Sequence, residues 1–159
     1  MRGSSLGAGR HDNPDHYSCL YVGENPSGVV AEALAPFRGT GPLTPDMLRR
    51  AEHPLALATI DMAGDQELVD LDDPAQLVAE DLPPSAVATR RRPVTQAQAL
   101  VLHDRHPQAP GLRWWSTLES SWPNVTLFDR ARPALTLSAT ERLEPTSAPV
   151  AEVTDLLGL

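Results

Sequence analysis

Sixteen prolines punctuate this chain of 159 residues, and many of them stand between apolar segments. Proline blocks the interior of helices and of central strands, because its ring fixes φ and its nitrogen has no proton to donate. The spacing therefore predicts short helices and strands joined by tight turns. A chain of this length can bury one core of its own but is too short for two domains of ordinary size. We therefore treat residues 1–159 as a single domain.

The charge of the chain argues against two classes of partner. There are 21 acidic and 13 basic residues, and the formal net charge of −8 opposes docking on nucleic acid or on an anionic membrane. No apolar run approaches the roughly 20 residues that a membrane-spanning helix needs. The single cysteine, Cys19, cannot form an internal disulfide, and scattered histidines with one thiol do not make a zinc site. We therefore expect a cytoplasmic protein that binds no metal.

Apolar runs separated by turn residues predict a series of short strands and helices. Strands are predicted at residues 18–22, 55–60, 67–71, 112–116, 125–128 and 134–138, with 112–116 and 125–128 as neighbours. Helices are predicted after Asn25, at 45–51, after Asp72 or Asp73, and at 94–103 from a start near Thr95. We expect residues 1–17 to be a loop and the tail 146–159 to be a loose end with a weak helix.

The residues by themselves show no established catalytic motif, neither a phosphate-binding loop nor a nucleophile elbow. Four polar side chains nevertheless stand in or beside apolar segments: Tyr21, Glu32, Thr95 and Ser116. Arg10, in the predicted opening loop, is a fifth candidate. Each has an ordinary structural explanation. Glu32 would lie on the solvated side of an amphipathic helix, Thr95 would cap a helix, and Ser116 would end a strand. Tyr21 would pack with its hydroxyl at the surface, and Arg10 would form a surface ion pair.

Two further groups are predicted to be structural. The three consecutive arginines Arg90, Arg91 and Arg92 are predicted to form a solvated loop. Large aromatic side chains dominate burial wherever they occur, which predicts core or pocket-wall positions for Trp114, Trp115 and Trp122.

The order of several short blocks resembles the RES domain family. The family patterns are "GRF(D/N)-P … LYLA … A-x-x-E", "TQAWA", "DGL-x-Y-x-S" and "N-V-A-L-F". They are matched in this order by GRHDNP, CLYVG and AEAL, by VTQAQAL, by APGLRWWS and by NVTLF. The matched blocks run from Gly9 to Phe128, which is most of the chain. His11 replaces the usual aromatic of its block, and Gln98 stands where tryptophan is common.

The resemblance implies an α/β (α+β) fold that is ADP-ribosyltransferase-like, with mixed sheets and short helices. The family is named for an arginine, a glutamate and a serine, of which the last two map onto Glu32 and Ser116. Arg10 matches the second of the two arginines that the family usually has. Only Arg2 precedes it, so we expect the chain to lack the strand that carries the first arginine. This departure bears on activity more than on the fold.

The resemblance also implies roles for these side chains and consumption of NAD, which would be a substrate and not a recycled cofactor. Glu32 would stabilise positive charge on the ribose, and Arg10 would hold the pyrophosphate. Tyr21 would stack against a ring, while Ser116 and Thr95 would donate hydrogen bonds to ribose or phosphate.

As a biological role, the resemblance implies an NAD glycohydrolase or phosphorylase that is a toxin neutralised by an antitoxin protein. Two alternatives stay open. One is a degenerate RES domain that binds a nucleotide or a protein without catalysis, and the other is a protein ADP-ribosyltransferase. The oligomeric state is also open, and a homo-oligomer is compatible with the sequence.

Overall fold

The structure is a computed structural model that describes residues 7–159. The strands are β1 (Cys19–Gly23), β2 (Arg49–Arg50), β3 (His53–Pro54), β4 (Ala56–Met62), β5 (Val69–Asp70), β6 (Gly111–Trp115), β7 (Pro123–Phe128) and β8 (Leu135–Arg142). The helices are α1 (Pro26–Leu34), α2 (Pro74–Ala79), α3 (Pro84–Ala88), α4 (Arg92–Arg105) and α5 (Ala148–Leu157). Short 3₁₀ helices cover Ala35–Phe37, Pro45–Leu48 and Asp129–Ala134. Within the described range, no helix is long and apolar enough to cross a membrane.

The main sheet has four strands in the order β1-β7-β6-β5. β7 pairs antiparallel with both β1 and β6, and β5 pairs with β6 in parallel. The pairing of β6 with β7 confirms the prediction that these two strands are neighbours. In this register Tyr21 lies opposite Thr126, and Trp114 lies opposite Asn124. Because side chains alternate between the faces of a sheet, these four residues share one face. That face carries the candidate site.

The remaining strands form two smaller sheets of two strands each. β4 pairs antiparallel with β8, with an irregularity between Thr59 and Ile60, and β2 pairs with β3. The mixed sheets and short helices confirm the predicted fold class, α/β (α+β).

The apolar side chains form two larger cores. One lies between the main sheet and helices α2 to α4, and its buried residues include Leu77, Val87, Leu102 and Leu112. The other lies between α1 and α5, where Val150 and Val153 are 0% exposed. The tail therefore contains the predicted helix, but it is packed into a core, and the prediction of a loose end is wrong. Val150, Val153 and Leu157 recur at helical spacing and form an apolar stripe that packs on α1.

Proline positions explain the other differences from the predicted elements. Pro84 opens α3, a helix that the sequence did not predict, since a missing N–H costs nothing in the first turn. Pro93 likewise stands in the first turn of α4, which begins at Arg92 and not near Thr95. The helix predicted at 45–51 is limited to the 3₁₀ turn Pro45–Leu48. The predicted opening loop lies partly outside the described residues.

Candidate active site

A cleft of about 470 Å³ opens beside the main sheet. Its walls come from the loop before β1, from β1 itself, from α1, from the start of α4 and from the β6–β7 region. A second depression of about 630 Å³ lies near His106 and contains none of the predicted site residues. The first cleft is therefore the candidate active site.

Glu32 points into this cleft from the open side of α1. The helix starts at Asn25, whose side chain accepts hydrogen bonds from the amides of Ser27 and Gly28. Its buried face packs on α5, which leaves Glu32 exposed on the cleft wall. A well-capped helix thus fixes the backbone position of Glu32 on the cleft wall.

The Glu32 carboxylate accepts two hydrogen bonds at the same oxygen. Ser116 Oγ donates to Glu32 Oε1 at 3.1 Å, and Asn124 Nδ2 donates to it at 3.3 Å. Among residues 7–159, no group donates to the second oxygen, Oε2. The structure therefore brings Glu32 and Ser116 together across 84 positions of sequence and leaves one carboxylate oxygen available to a ligand.

Ser116 is buried and lies behind Glu32, not on the cleft wall. Besides donating to Glu32, its hydroxyl accepts a hydrogen bond from the amide of Leu118 at 3.1 Å. Asn124 does line the cleft, and sequence reasoning missed it as a functional residue. The signal that could have found it is its place at the start of the matched NVTLF block.

Arg10 is buried on the cleft wall, and half of its guanidinium binds the backbone. Nη1 donates to the carbonyl of Val87 at 2.8 Å and to that of Thr89 at 2.9 Å. The guanidinium carbon lies 4.6 Å from the ring centroid of Trp114. Burial, and then the nearby charge of Arg92, lower the pKa of Arg10. Arg2 lies outside the described residues.

Tyr21 lines the cleft with its ring, because its hydroxyl is held inside the protein. The hydroxyl donates to Asp12 Oδ1 at 2.8 Å and accepts from the amide of His11 at 2.8 Å. Burial raises the pKa of Tyr21 far above its usual value. Asp12 also accepts from the amide of Gly9 at 2.8 Å. A Cβ on Gly9 would lie 2.5 Å from both the Tyr21 hydroxyl and the Asp12 carboxylate, so this turn requires glycine.

Thr95 is fully buried in α4 and does not reach the cleft wall. Its hydroxyl donates to the carbonyl of Arg10 at 2.5 Å and lies 3.2 Å from the carbonyl of Arg92. It is therefore placed to hold the backbone together beneath the cleft, and it is not the helix cap, a position that Arg91 occupies.

The arginine run is exposed, as predicted: Arg90 and Arg91 lie in the loop before α4, and Arg92 is the first residue of that helix. Arg90 and Arg92 line the cleft, whereas Arg91 does not. The three side chains are exposed, and no carboxylate in the described part of the chain forms an ion pair with any of them. Three identical residues in a row have no pattern from which the sequence could predict that only the first and the third line the cleft.

His11 sits beneath the cleft as a neutral aromatic ring. Its Nδ1 lies 2.8 Å from the hydroxyl of Thr126, and its ring meets Trp114 edge-on at 5.4 Å between centroids. Burial, and then the charges of Arg10 and Arg92, lower the pKa of His11 to about 3. This packing explains how a histidine can stand where the resemblance leads one to expect an aromatic residue.

The charged residues of the cleft are three arginines and one glutamate, which gives a positive cleft in a protein of net charge −8. Such a site attracts anionic ligands, and its single carboxylate can stabilise a centre that becomes positive during a reaction. No group of three His, Cys, Asp or Glu side chains within residues 7–159 could hold a metal ion.

Comparisons with known proteins agree with this architecture. The model of the RES domain family matches residues 1–149. No curated protein shows a significant match. Among solved structures, a chain from the crystal structure of the M. tuberculosis MbcT-MbcA toxin-antitoxin complex matches with a TM-score of 0.66 at 19% identity. The match covers 95% of this chain and 77% of that one, and at this identity it shows a shared fold.

Proposed function

Because this chain belongs to the RES domain family, we propose that it cleaves NAD between nicotinamide and ribose and acts as the toxin of a toxin-antitoxin pair. The observation that carries the proposal is the Glu32 carboxylate. It is held by Ser116 and Asn124 on the wall of a cleft in which every other charged side chain is an arginine.

The reaction suits a lone carboxylate. When the bond between C1′ of the ribose and the nicotinamide nitrogen breaks, its electron pair stays with nicotinamide, which leaves as a neutral ring. Positive charge then develops on the ribose, and Glu32 Oε2 is free to stabilise it. An oxygen of phosphate or of water forms the new bond to C1′, and an attacking water releases its proton. NAD is consumed in this reaction and is not regenerated.

Three further features of the cleft support a dinucleotide as the ligand. Its volume of about 470 Å³ lies within the range of about 300–1,000 Å³ that is usual for small-molecule sites. The Tyr21 ring is exposed to the cleft while its hydroxyl is bound elsewhere, so the ring face can stack on a base. The guanidinium groups complement phosphate oxygens in charge and in shape.

The test is NAD loss over time with the purified protein, with and without phosphate, beside Glu32→Ala. We expect loss that falls by at least about a hundredfold in the variant, the usual effect of removing one electrostatic stabiliser of a transition state. Glu141→Ala, which removes an exposed carboxylate on β8, should leave the rate unchanged. Dependence on phosphate would name the acceptor.

Equal NAD loss with Glu32→Ala would contradict the assigned role of the carboxylate. No NAD loss from a protein shown to be folded would refute catalysis and favour a domain that only binds a nucleotide or a protein. Transfer of labelled ADP-ribose to protein, without free loss, would instead indicate protein modification.

The toxin role rests on the family and on the fold shared with a chain of a toxin-antitoxin complex. Expression of the wild-type chain in growing bacteria should arrest growth and deplete NAD, and Glu32→Ala should do neither. Arrest by both proteins alike would show that toxicity does not come from this cleft.

A further inference from the structure

The three arginines of the cleft differ in what they bind. Arg90 and Arg92 are exposed at the cleft wall and form no ion pair within residues 7–159. Arg10 is buried and donates from Nη1 to two backbone carbonyls. We infer that Arg90 and Arg92 dock the diphosphate of a nucleotide, and that Arg10 is a positioning residue that holds them in place. This inference rests on the proposed NAD site and assigns its phosphate contacts.

The contacts of Arg10 fix the segment that carries the two exposed arginines. Its acceptors are the carbonyls of Val87 in α3 and of Thr89, the residue directly before Arg90. On the other side, Thr95 donates to the carbonyl of Arg10 and lies within hydrogen-bond distance of the carbonyl of Arg92. Both ends of the Arg90–Arg92 segment are therefore tied to the loop before β1. The segment is a built part of the cleft and not a free loop.

The charge of the cleft matches a diphosphate in sign and size. Three guanidinium groups and one carboxylate leave two positive charges at neutral pH. A diphosphate linkage, with one ionised oxygen on each phosphate, carries two negative charges, whereas a single carboxylate ligand would neutralise only half of the excess. The planar fork of arginine binds paired phosphate oxygens in a bidentate manner.

The free protein bears an electrostatic cost for this arrangement. The arginines lie close enough that Arg92 and Arg90 both disfavour the charged form of Arg10. Arg90 and Arg92 also stand at the start of α4, where the helix dipole disfavours cations. A bound anion would remove both penalties. Substitutions that remove the charges of Arg90 and Arg92 should therefore weaken ligand binding but leave the free protein as stable as before, or more stable. Residues with a purely structural role would instead lower the stability of the free protein when they are replaced.

The test uses the full chain and ADP, a diphosphate that needs no turnover. We expect the double variant Arg90→Gln/Arg92→Gln to bind ADP about a hundredfold more weakly in calorimetry, about tenfold for each charge-assisted hydrogen bond lost. Its melting temperature without ligand should be equal to or above that of the wild type. Arg91→Gln is the matched control, because Arg91 has the same charge and is also exposed but does not line the cleft.

Three outcomes would overturn the inference: no ADP binding by the wild type, unchanged binding by the double variant, or an equal loss with Arg91→Gln. The inference and the proposed function can fail separately. ADP binding that needs both arginines, in a protein that consumes no NAD, would support the inference and refute the catalytic proposal. NAD consumption with an unchanged KM in the double variant would keep the catalytic proposal and reject the inference.

Discussion

Replacement of Arg10 by methionine tests whether this residue holds the backbone. Methionine is similar in length and apolar, so it keeps much of the packing on Trp114 but donates nothing to the carbonyls of Val87 and Thr89. Each buried acceptor left without a donor costs about 1–3 kcal/mol. Two fully buried acceptors would together cost about 2–6 kcal/mol. Thr89 is only half-buried, so water can reach its carbonyl, and this lowers the combined cost to about 3 kcal/mol.

A second effect opposes this loss. Burial and the charge of Arg92 lower the pKa of Arg10, so the folded protein gains some stability when the charge is removed. The hydrogen bonds have the larger effect, because the charge can still face the open cleft. We expect the free energy of unfolding to fall by about 2 kcal/mol, a large share of the about 5–15 kcal/mol of an ordinary domain.

The assay is urea denaturation of the wild type, Arg10→Met and the control Arg38→Met, which removes an exposed arginine that does not line the cleft. The control should change stability by less than about 0.5 kcal/mol. An equally small change for Arg10→Met would refute the reasoning. If that stable variant also failed to bind ADP, Arg10 would contact the phosphates directly instead of positioning their partners.

Two further predictions concern stability. Because the pKa of His11 is lowered to about 3, the unfolded chain takes up a proton that the folded state refuses once the pH falls below about 6.5. Stability should therefore decline between about pH 6.5 and pH 3. In urea denaturation at a series of pH values, His11→Phe should show a weaker decline than the wild type. The same decline in both proteins would show that another group causes it. Val153→Ala should lower the free energy of unfolding by about 2 kcal/mol, because it removes buried methyl groups between α5 and α1. Val78→Ala, at an 82% exposed position, is its control, and similar small effects of both would mean that α5 is not part of the core.

The elements that sequence reasoning predicted well are those with a strong local signal. β1, β6 and β7 are short apolar runs between turn residues, and α1 and α2 begin at side chains that cap them, Asn25 and Asp73. The tail was misjudged because its apolar stripe has meaning only beside a partner helix more than a hundred residues earlier in the chain. Local pattern does not show which surface will cover a weak helix.

For the site, the sequence by itself determined the chemical groups. These are a glutamate on a helix, a serine after a strand, and an arginine and a tyrosine that precede them in the same order as in the RES family. Only the tertiary structure decided how these groups are used. It turned Arg10 and Thr95 toward the backbone, brought Ser116 and Asn124 to one oxygen of Glu32, and directed Arg90 and Arg92 into the cleft. These directions depend on contacts between segments about eighty to ninety positions apart. Such contacts arise when the sheet and helices pack, and no local periodicity encodes them.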